Sequence, residues 1–421
     1  MKSIFFLIVF LLFNYLTIYG QWQVELTAAE DVANPVNYPH IAYYPDGHIS
    51  VLPDGNEYIM FWAEFESHRS VGSTQFVEDQ IALQPNNAVF GRRGNFDTYD
   101  NGGSWLMSVF REQNNDFIGF FHAEDHWYPH TTNDIAWKSI GVTYSNDKGI
   151  TWETGNQIIT SATPKPATPT WGGTGDCCVV WDHINNRWLC YYQEQTISMA
   201  ISTDPKGAPG TWKKYYFGGF TEDGLGGRQS PLPGLSSAPG GNPSVHWNTY
   251  LMKWVMVWHG WNPTNIYISV SADGIVWDTP KSIIVSEIGG RAWYPTIIGD
   301  TDVEAGEVAK IYYADIAPDF SYRKFKSRTI TFFDPNLSVE DNKLKNDFLI
   351  SPCPSNENIK LSGLPSGNKE IFIYNASGQL VYKEAFEGSN VEININRFAS
   401  GLYYVKAQVG NQSMNKRFVK Y

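Results

Sequence analysis

Lysine and arginine are scarce in this chain, 31 against 43 aspartates and glutamates, for a formal net charge of −12. A nucleic-acid binder held by a broad basic surface is thereby excluded. Charged residues of both signs reach only 18%, too few for a coiled coil, and 15% aromatics are too many for a disordered chain. The four cysteines show no CxxC, and no HExxH is present, so neither common metal spacing applies. Cys177, Cys178 and Cys190 fall in one expected hairpin, where a 177–190 or 178–190 bridge and three buried thiols are equal readings; Cys353 stands apart. A membrane-crossing helix needs about 20 apolar residues. The run from Ile4 to Phe13 is shorter and is interrupted at Asn14, Tyr15 and Thr17. Behind Met1-Lys2-Ser3 and ahead of the small Gly20, it reads as a removed signal peptide, residues 1–20.

What is abundant is glycine (37), proline (23) and tryptophan (16). Most of the tryptophans are expected in the core. From residue 22 to about 345 a module recurs: an apolar strand, a turn, and a second strand rich in aromatics. The second strands are Tyr58-Ile59-Met60-Phe61-Trp62, Phe117-Ile118-Gly119-Phe120-Phe121, Trp188-Leu189-Cys190-Tyr191-Tyr192, Trp254-Val255-Met256-Val257-Trp258 and Ala309-Lys310-Ile311-Tyr312-Tyr313. Five copies predict a five-bladed β-propeller over 21–345, because radial closure buries both faces of every sheet.

Near residue 346 the character changes. Short alternating strands (Ile371-Phe372-Ile373-Tyr374, Leu380-Val381-Tyr382, Leu402-Tyr403-Tyr404-Val405) predict a small β-sandwich over 346–421, so the chain as a whole is read as all-β. This segment holds eight Lys/Arg and six Asp/Glu, which leaves the central region at about −15. Tyr374-Asn375-Ala376-Ser377-Gly378-Gln379-Leu380-Val381, Phe398-Ala399-Ser400-Gly401-Leu402-Tyr403-Tyr404-Val405 and the Lys416-Arg417-Phe418-Val419-Lys420 finish resemble the C-terminal sorting domain of the Bacteroidetes type IX secretion system. The resemblance implies export by that machinery, to a secreted or outer-membrane-attached location. Three turns, beginning at Thr98, Ser145 and Ser271, resemble the Asp-box of sialidase-like propellers, which implies a structural role for Asp147 and Asp273. The first match is a poor box, because Trp105 already begins an inner strand.

In a propeller, residues that follow a second strand share a face with those that precede an inner strand. The first group gives Glu64 and Glu66, then His122-Ala123-Glu124-Asp125-His126-Trp127, then Gln193-Glu194, then His259-Gly260-Trp261 and Asp315. The second gives His40 and Asp46, Asp97, Asp176, Asn242 and His246, and Arg291 with Tyr294. One acidic mouth lined by histidines and aromatics is therefore expected. Two carboxylates and two imidazoles within His122–His126 suit proton transfer, since like charges raise one pKa. Asp176, after Gly172-Gly173-Thr174-Gly175, is expected on a flexible entry. The candidate catalytic residues are Glu124, Asp176, Asp125, His126, His122 and Glu194. The candidate substrate-binding residues are Arg291, Tyr294, His246, His259, Trp127, Trp261 and Asp46.

Five blades around a carboxylate-lined mouth resemble the glycoside hydrolases of the arabinanase, xylosidase and fructosidase group. The resemblance implies Glu124 or Glu194 as proton donor, with Asp176 and Asp46 as base and modulator. It is one of architecture: the group's Asp-Pro opening in blade one and its later Glu-Gly-Pro are missing. Sialidase chemistry fits worse, with Arg291, Arg69 and Arg111 as the arginines at hand. A polysaccharide lyase or oligosaccharide dehydratase, using His122, His126, His246, His259, Tyr294 and Arg291 for β-elimination on a uronate, is the rival reading. A non-catalytic glycan-binding propeller is the third. The expected partner is a polysaccharide or oligosaccharide, the expected state a monomer. No cofactor is called for, though carboxylate density leaves room for a structural Ca²⁺ in the channel.

Overall fold

The computed structural model describes residues 22–32, 45–64, 66–85, 87–93, 97–112, 114–128, 135–334, 348–351, 355–365, 367–375, 380–409 and 412–420. The signal segment, His40 and Cys353 lie outside these residues. Five sheets of four or five strands, antiparallel but for two short parallel pairings, follow one another along the chain. The inner strands are Ser50–Asp54, Gly103–Arg111, Gly175–Asp182, Gly240–Asn248 and Arg291–Ile298. The second strands are Glu57–Glu64, Phe117–Asp125, Arg187–Glu194, Lys253–Gly260 and Val308–Ile316, and each contains the aromatic run read from the sequence. Those runs are continuous rather than alternating because both sheet faces are covered. Ile59, Met60, Phe61 and Trp62, four successive residues, are all buried.

A separate apolar core fills each junction between neighbouring blades. Phe61 and Phe121 meet between blades one and two, Phe120 and Tyr192 between two and three, and Tyr191 and Trp258 between three and four. Val257 and Ile311 join blades four and five, and Trp62 and Tyr312 join five to one. Around the channel a second device repeats. Ser50, Ser108 and Thr296 accept backbone N–H bonds from Val109 (3.0 Å), Val179 (2.9 Å) and Ile49 (3.1 Å) of the next inner strand. In blade three the acceptor is a thiol: Cys178 Sγ takes Val245 N–H at 3.3 Å. Cys177, Cys178 and Cys190 are buried free thiols, which decides between the two readings of these cysteines.

The ring closes through a strand the sequence pattern did not reveal. Gln23–Leu26 pairs with Arg323–Phe333 as the outermost strand of blade five. Trp22 Nε1 donates to Asp278 Oδ2 of blade four at 2.9 Å. Two turns have the Asp-box form: Asp147 Oδ1 accepts from Ile150 N and Thr151 N, and Asp273 Oδ1 from Ile275 N and Val276 N. The Asp100 turn instead leads straight into the inner strand that carries Trp105.

The last segment is a sandwich of a three- and a four-stranded sheet over Ile359, Leu361, Ile371, Ile373, Val405 and Phe418. Where Tyr404 and Arg417 approach the propeller there is a cavity of about 1090 Å³. It is a seam between two bodies and gathers no set of inner-strand carboxylates. The candidate site lies at the other end of the channel, where the inner strands begin.

Candidate functional site

The mouth is built by a repeated irregularity. Pairing of inner and second strands slips by a bulge at Gly175/Cys177, Gly241/Ser244 and Trp293/Thr296. At each slip a non-glycine residue takes a left-handed conformation: Asp176 (φ 44°), Asn242 (φ 52°) and Tyr294 (φ 55°). Such a conformation costs about 1–3 kcal/mol per residue and re-aims a side chain at a functional site. All three line a cavity of about 630 Å³ together with Asp46, His122, Glu124, Lys138, Gln193 and His259. Its walls are aromatic: Trp105, Trp171, Trp261, Trp293 and Phe320.

Asp176 is held as an anion. Burial pushes its carboxyl up, but the Lys138 ammonium, with Nζ at 3.1 Å, outweighs that and holds it below the usual range. With its amide oriented to satisfy both groups, Gln193 bridges the pair, donating to Asp176 Oδ2 (3.0 Å) and accepting from Lys138 Nζ (3.1 Å). The expected flexible entry is instead pinned. Gly172–Gly173 pairs in parallel with Trp137 and Lys138 of blade two. A Cβ on Gly173 (φ +80°) would lie 2.2 Å from the Lys138 carbonyl oxygen. Those glycines serve close approach, not mobility.

Behind Asp176 runs a relay. Its backbone N–H donates to His122 Nδ1 (2.9 Å), which places the His122 proton on Nε2, 3.4 Å from Glu124 Oε1. Glu124 Oε2 faces His126 Nε2 at 3.0 Å. Burial raises the Glu124 carboxyl, yet the two imidazoles prevail and keep it below its ordinary value. Glu124 is thus suited to fixing His122 and poorly suited to giving up a proton.

Asp46 behaves in the opposite way. Burial pushes its carboxyl above the ordinary value, and the negative charge of Asp176 adds to this against Arg323 and Tyr294. Arg323 Nη1 stands 3.3 Å from Asp46 Oδ1 but is also bonded to Pro45 O at 2.8 Å. His259 is buried, stacked on Trp293 (5.0 Å, 22°), with Trp261 edge-on at 4.9 Å. Burial drops its pKa to about 3, so it is neutral, and among the described residues neither ring nitrogen has a partner. The indole nitrogens of Trp105 and Trp293 are likewise buried without partners.

Of the candidate catalytic and substrate-binding residues, Asp46, His122, Glu124, Asp176, His259, Trp261 and Tyr294 line it, beside Gln193 and Asn242 from the same register, and His126 stands directly behind Glu124. Five others are employed elsewhere. Asp125 binds Lys165 (2.5 Å) and Asn101, and Trp127 donates to Pro166 O, so both anchor a loop. Glu194 accepts from Ser161 Oγ (2.7 Å). Arg291 donates to Pro318 O and lies over the Phe320 ring. His246 is fully buried beside Phe332, between blades four and five, with its pKa lowered to about 3 by burial and by His48. It sits two residues beyond Ser244, too far along the inner strand to reach the opening.

Lys138, Arg323, Trp171 and Phe320 were not foreseen. Lys138 and Arg323 stand at the beginnings of third strands, Trp137–Ser145 and Arg323–Phe333. Third strands run parallel to inner strands, so their first residues also reach the mouth. That rule would have found both cations. Among the described residues no group of three or more His, Cys, Asp or Glu is arranged to hold a metal ion.

Residues 349–421 match the family described as secretion system C-terminal sorting domain, which marks the chain for type IX export, secreted or attached at the cell surface. No curated protein matches the chain. Among solved structures it is similar to a family 117 glycoside hydrolase from the marine bacterium Zobellia galactanivorans (12% identity, 77% of this chain and 93% of that one, TM-score 0.44). It is also similar to an exo-inulinase from Aspergillus awamori (11%, 90% and 92%, TM-score 0.41). A third is an exo-1,5-alpha-L-arabinanase from a bovine ruminal metagenomic library (10%, 68% and 93%, TM-score 0.41).

Proposed function

We propose that the mouth is the active site of an exported glycoside hydrolase acting on an uncharged glycan, with Asp46 as the acid and Asp176 as its ionised counterpart. The observation that carries this reading is the opposite electrostatics of two buried carboxyls delivered by different blades into one aromatic-walled cavity. Two carboxyls pushed apart in this way divide into a proton donor and a base or nucleophile. Protonated Asp46 gives its proton to the glycosidic oxygen as the C–O bond breaks. Asp176 attacks the anomeric carbon or takes a proton from the attacking water. His259, Asn242 and the two indole N–H groups hold ring hydroxyls, and Glu124 acts through His122 to keep Asp176 in place.

Elimination on a uronate has less support. Its substrate brings a negative charge that needs a cation to spare. Among the described residues that line this mouth the one Lys or Arg is Lys138, and it already faces the Asp176 carboxylate. The experiment is to incubate the full chain with neutral and uronate-containing glycans, following new reducing ends and ultraviolet absorbance of unsaturated sugars together. Reducing ends from a neutral glycan without absorbance support hydrolysis; absorbance from a uronate glycan transfers the reading to elimination.

A further inference from the structure

Three aromatic rings at the mouth are strongly exposed: Trp171 (57%), Phe320 (52%) and Trp261 (37%). They stand outward of the buried acid groups; a cation lies over one of them, Phe320, and another holds the segment that leads to Trp171. The segment leading to Trp171 is fixed by Lys165, whose Nζ binds Asp125 Oδ1 (2.5 Å) and His126 O (2.8 Å) and lies 4.4 Å from the centre of the Trp127 ring. Trp127 Nε1 returns a bond to Pro166 O at 2.7 Å. Immediately after Trp171 the chain enters the pinned Gly172–Gly173 pairing. On the far side of the ring, Phe320 takes a left-handed conformation (φ 60°). The Arg291 guanidinium lies 4.1 Å from its centre and donates to Pro318 O at 3.1 Å.

Blade five stands about half-way round a five-membered ring from the junction of blades two and three, so Trp171 and Phe320 flank the opening on opposite sides. Segments already held lose less conformational freedom when a ligand stacks on the rings they carry. Their apolar faces suit the C–H face of a sugar, and the carboxylates beneath disfavour an anionic one.

We propose that Trp171 and Phe320 form outer sugar-binding subsites, so that the substrate is a chain of several neutral sugar units and not a simple monoglycoside. This rests on the hydrolase reading for the bond cleaved, and adds where the rest of the chain lies.

The test uses the full chain and a series of neutral oligosaccharides of increasing length, with the aryl monoglycoside of the same sugar as the shortest probe. In the wild type kcat/KM rises with length. In Trp171→Ala and Phe320→Ala the ratio of long-chain to shortest-probe kcat/KM falls about 2- to 10-fold each, the worth of one aromatic contact. Lys165→Met, which keeps Trp171 but releases its loop, moves the ratio the same way. An unchanged ratio in both aromatic variants overturns the proposal. If the wild type cleaves none of the probes, calorimetric titration with the same oligosaccharides decides. Length-dependent binding weakened by Trp171→Ala upholds the subsites while the hydrolase reading falls, and binding without length dependence overturns the subsites as well.

Discussion

Asp46 and Asp176 carry opposite electrostatics, and under the proposed assignment this sets the pH dependence. Asp176 must be ionised, so activity is lost as pH falls through its depressed value. Asp46 must be protonated, so activity is lost as pH rises through its raised value. A bell-shaped kcat/KM profile is expected, its basic limb belonging to Asp46. Glu124→Gln keeps both limbs and loses about 10- to 100-fold in kcat, since it disturbs His122 and the placement of Asp176 and leaves the donor intact. Disappearance of the basic limb in that variant would return the acid role to Glu124. Strand register made Asp46, His122, Glu124, Asp176, His259, Trp261 and Tyr294 legible as mouth residues in the sequence. The roles within that set were not legible. Burial raises both carboxyls; Lys138 outweighs it at Asp176 and Arg323 does not at Asp46, and both cations arrive from third strands that the register reading left out. Arg291 and His246 were misread because a residue's place near a strand end does not say what its neighbours have already claimed.

Among the elements, the inner strands trade regularity for aim. Three bulges with left-handed residues supply Asp176, Asn242 and Tyr294. No alternation pattern announces a bulge, which is why the glycine run before Asp176 looked flexible. Gly173→Ala must displace the Lys138 backbone or distort its own. We expect a loss of about 1–3 kcal/mol in denaturant unfolding, with lowered kcat because Lys138 moves from Asp176. The channel ring offers a second check. Cys178→Ser keeps an acceptor for Val245 N–H, whereas Cys178→Ala leaves that buried donor unpaired, at a cost of about 1–3 kcal/mol. Equal stability of the serine and alanine variants would argue against the ring as a joint between blades.

For the whole molecule, the five-bladed count was legible because each second strand is buried on both faces and stays apolar throughout. The closure was not legible. Gln23–Leu26 is short, lies on the outer edge and alternates exposed with half-buried residues, so it gives no strong signal. Yet it is hydrogen-bonded along its length to Arg323–Phe333, and Trp22 ties it to blade four. Deleting residues 22–32 should lower the calorimetric midpoint of the propeller well beyond the shift from any single surface substitution.

The most direct measurement is the rate of Asp46→Asn and Asp176→Asn on the neutral glycan the wild type cleaves, beside an aryl glycoside whose leaving group needs no proton. Asp176→Asn should lose about 10²–10⁴-fold on both substrates. Asp46→Asn should lose a similar factor on the glycan, far less on the aryl glycoside, and with it the basic limb of the pH profile. Equal losses on both substrates in Asp46→Asn, or an intact basic limb on the aryl glycoside, would contradict the assignment of Asp46 as the acid.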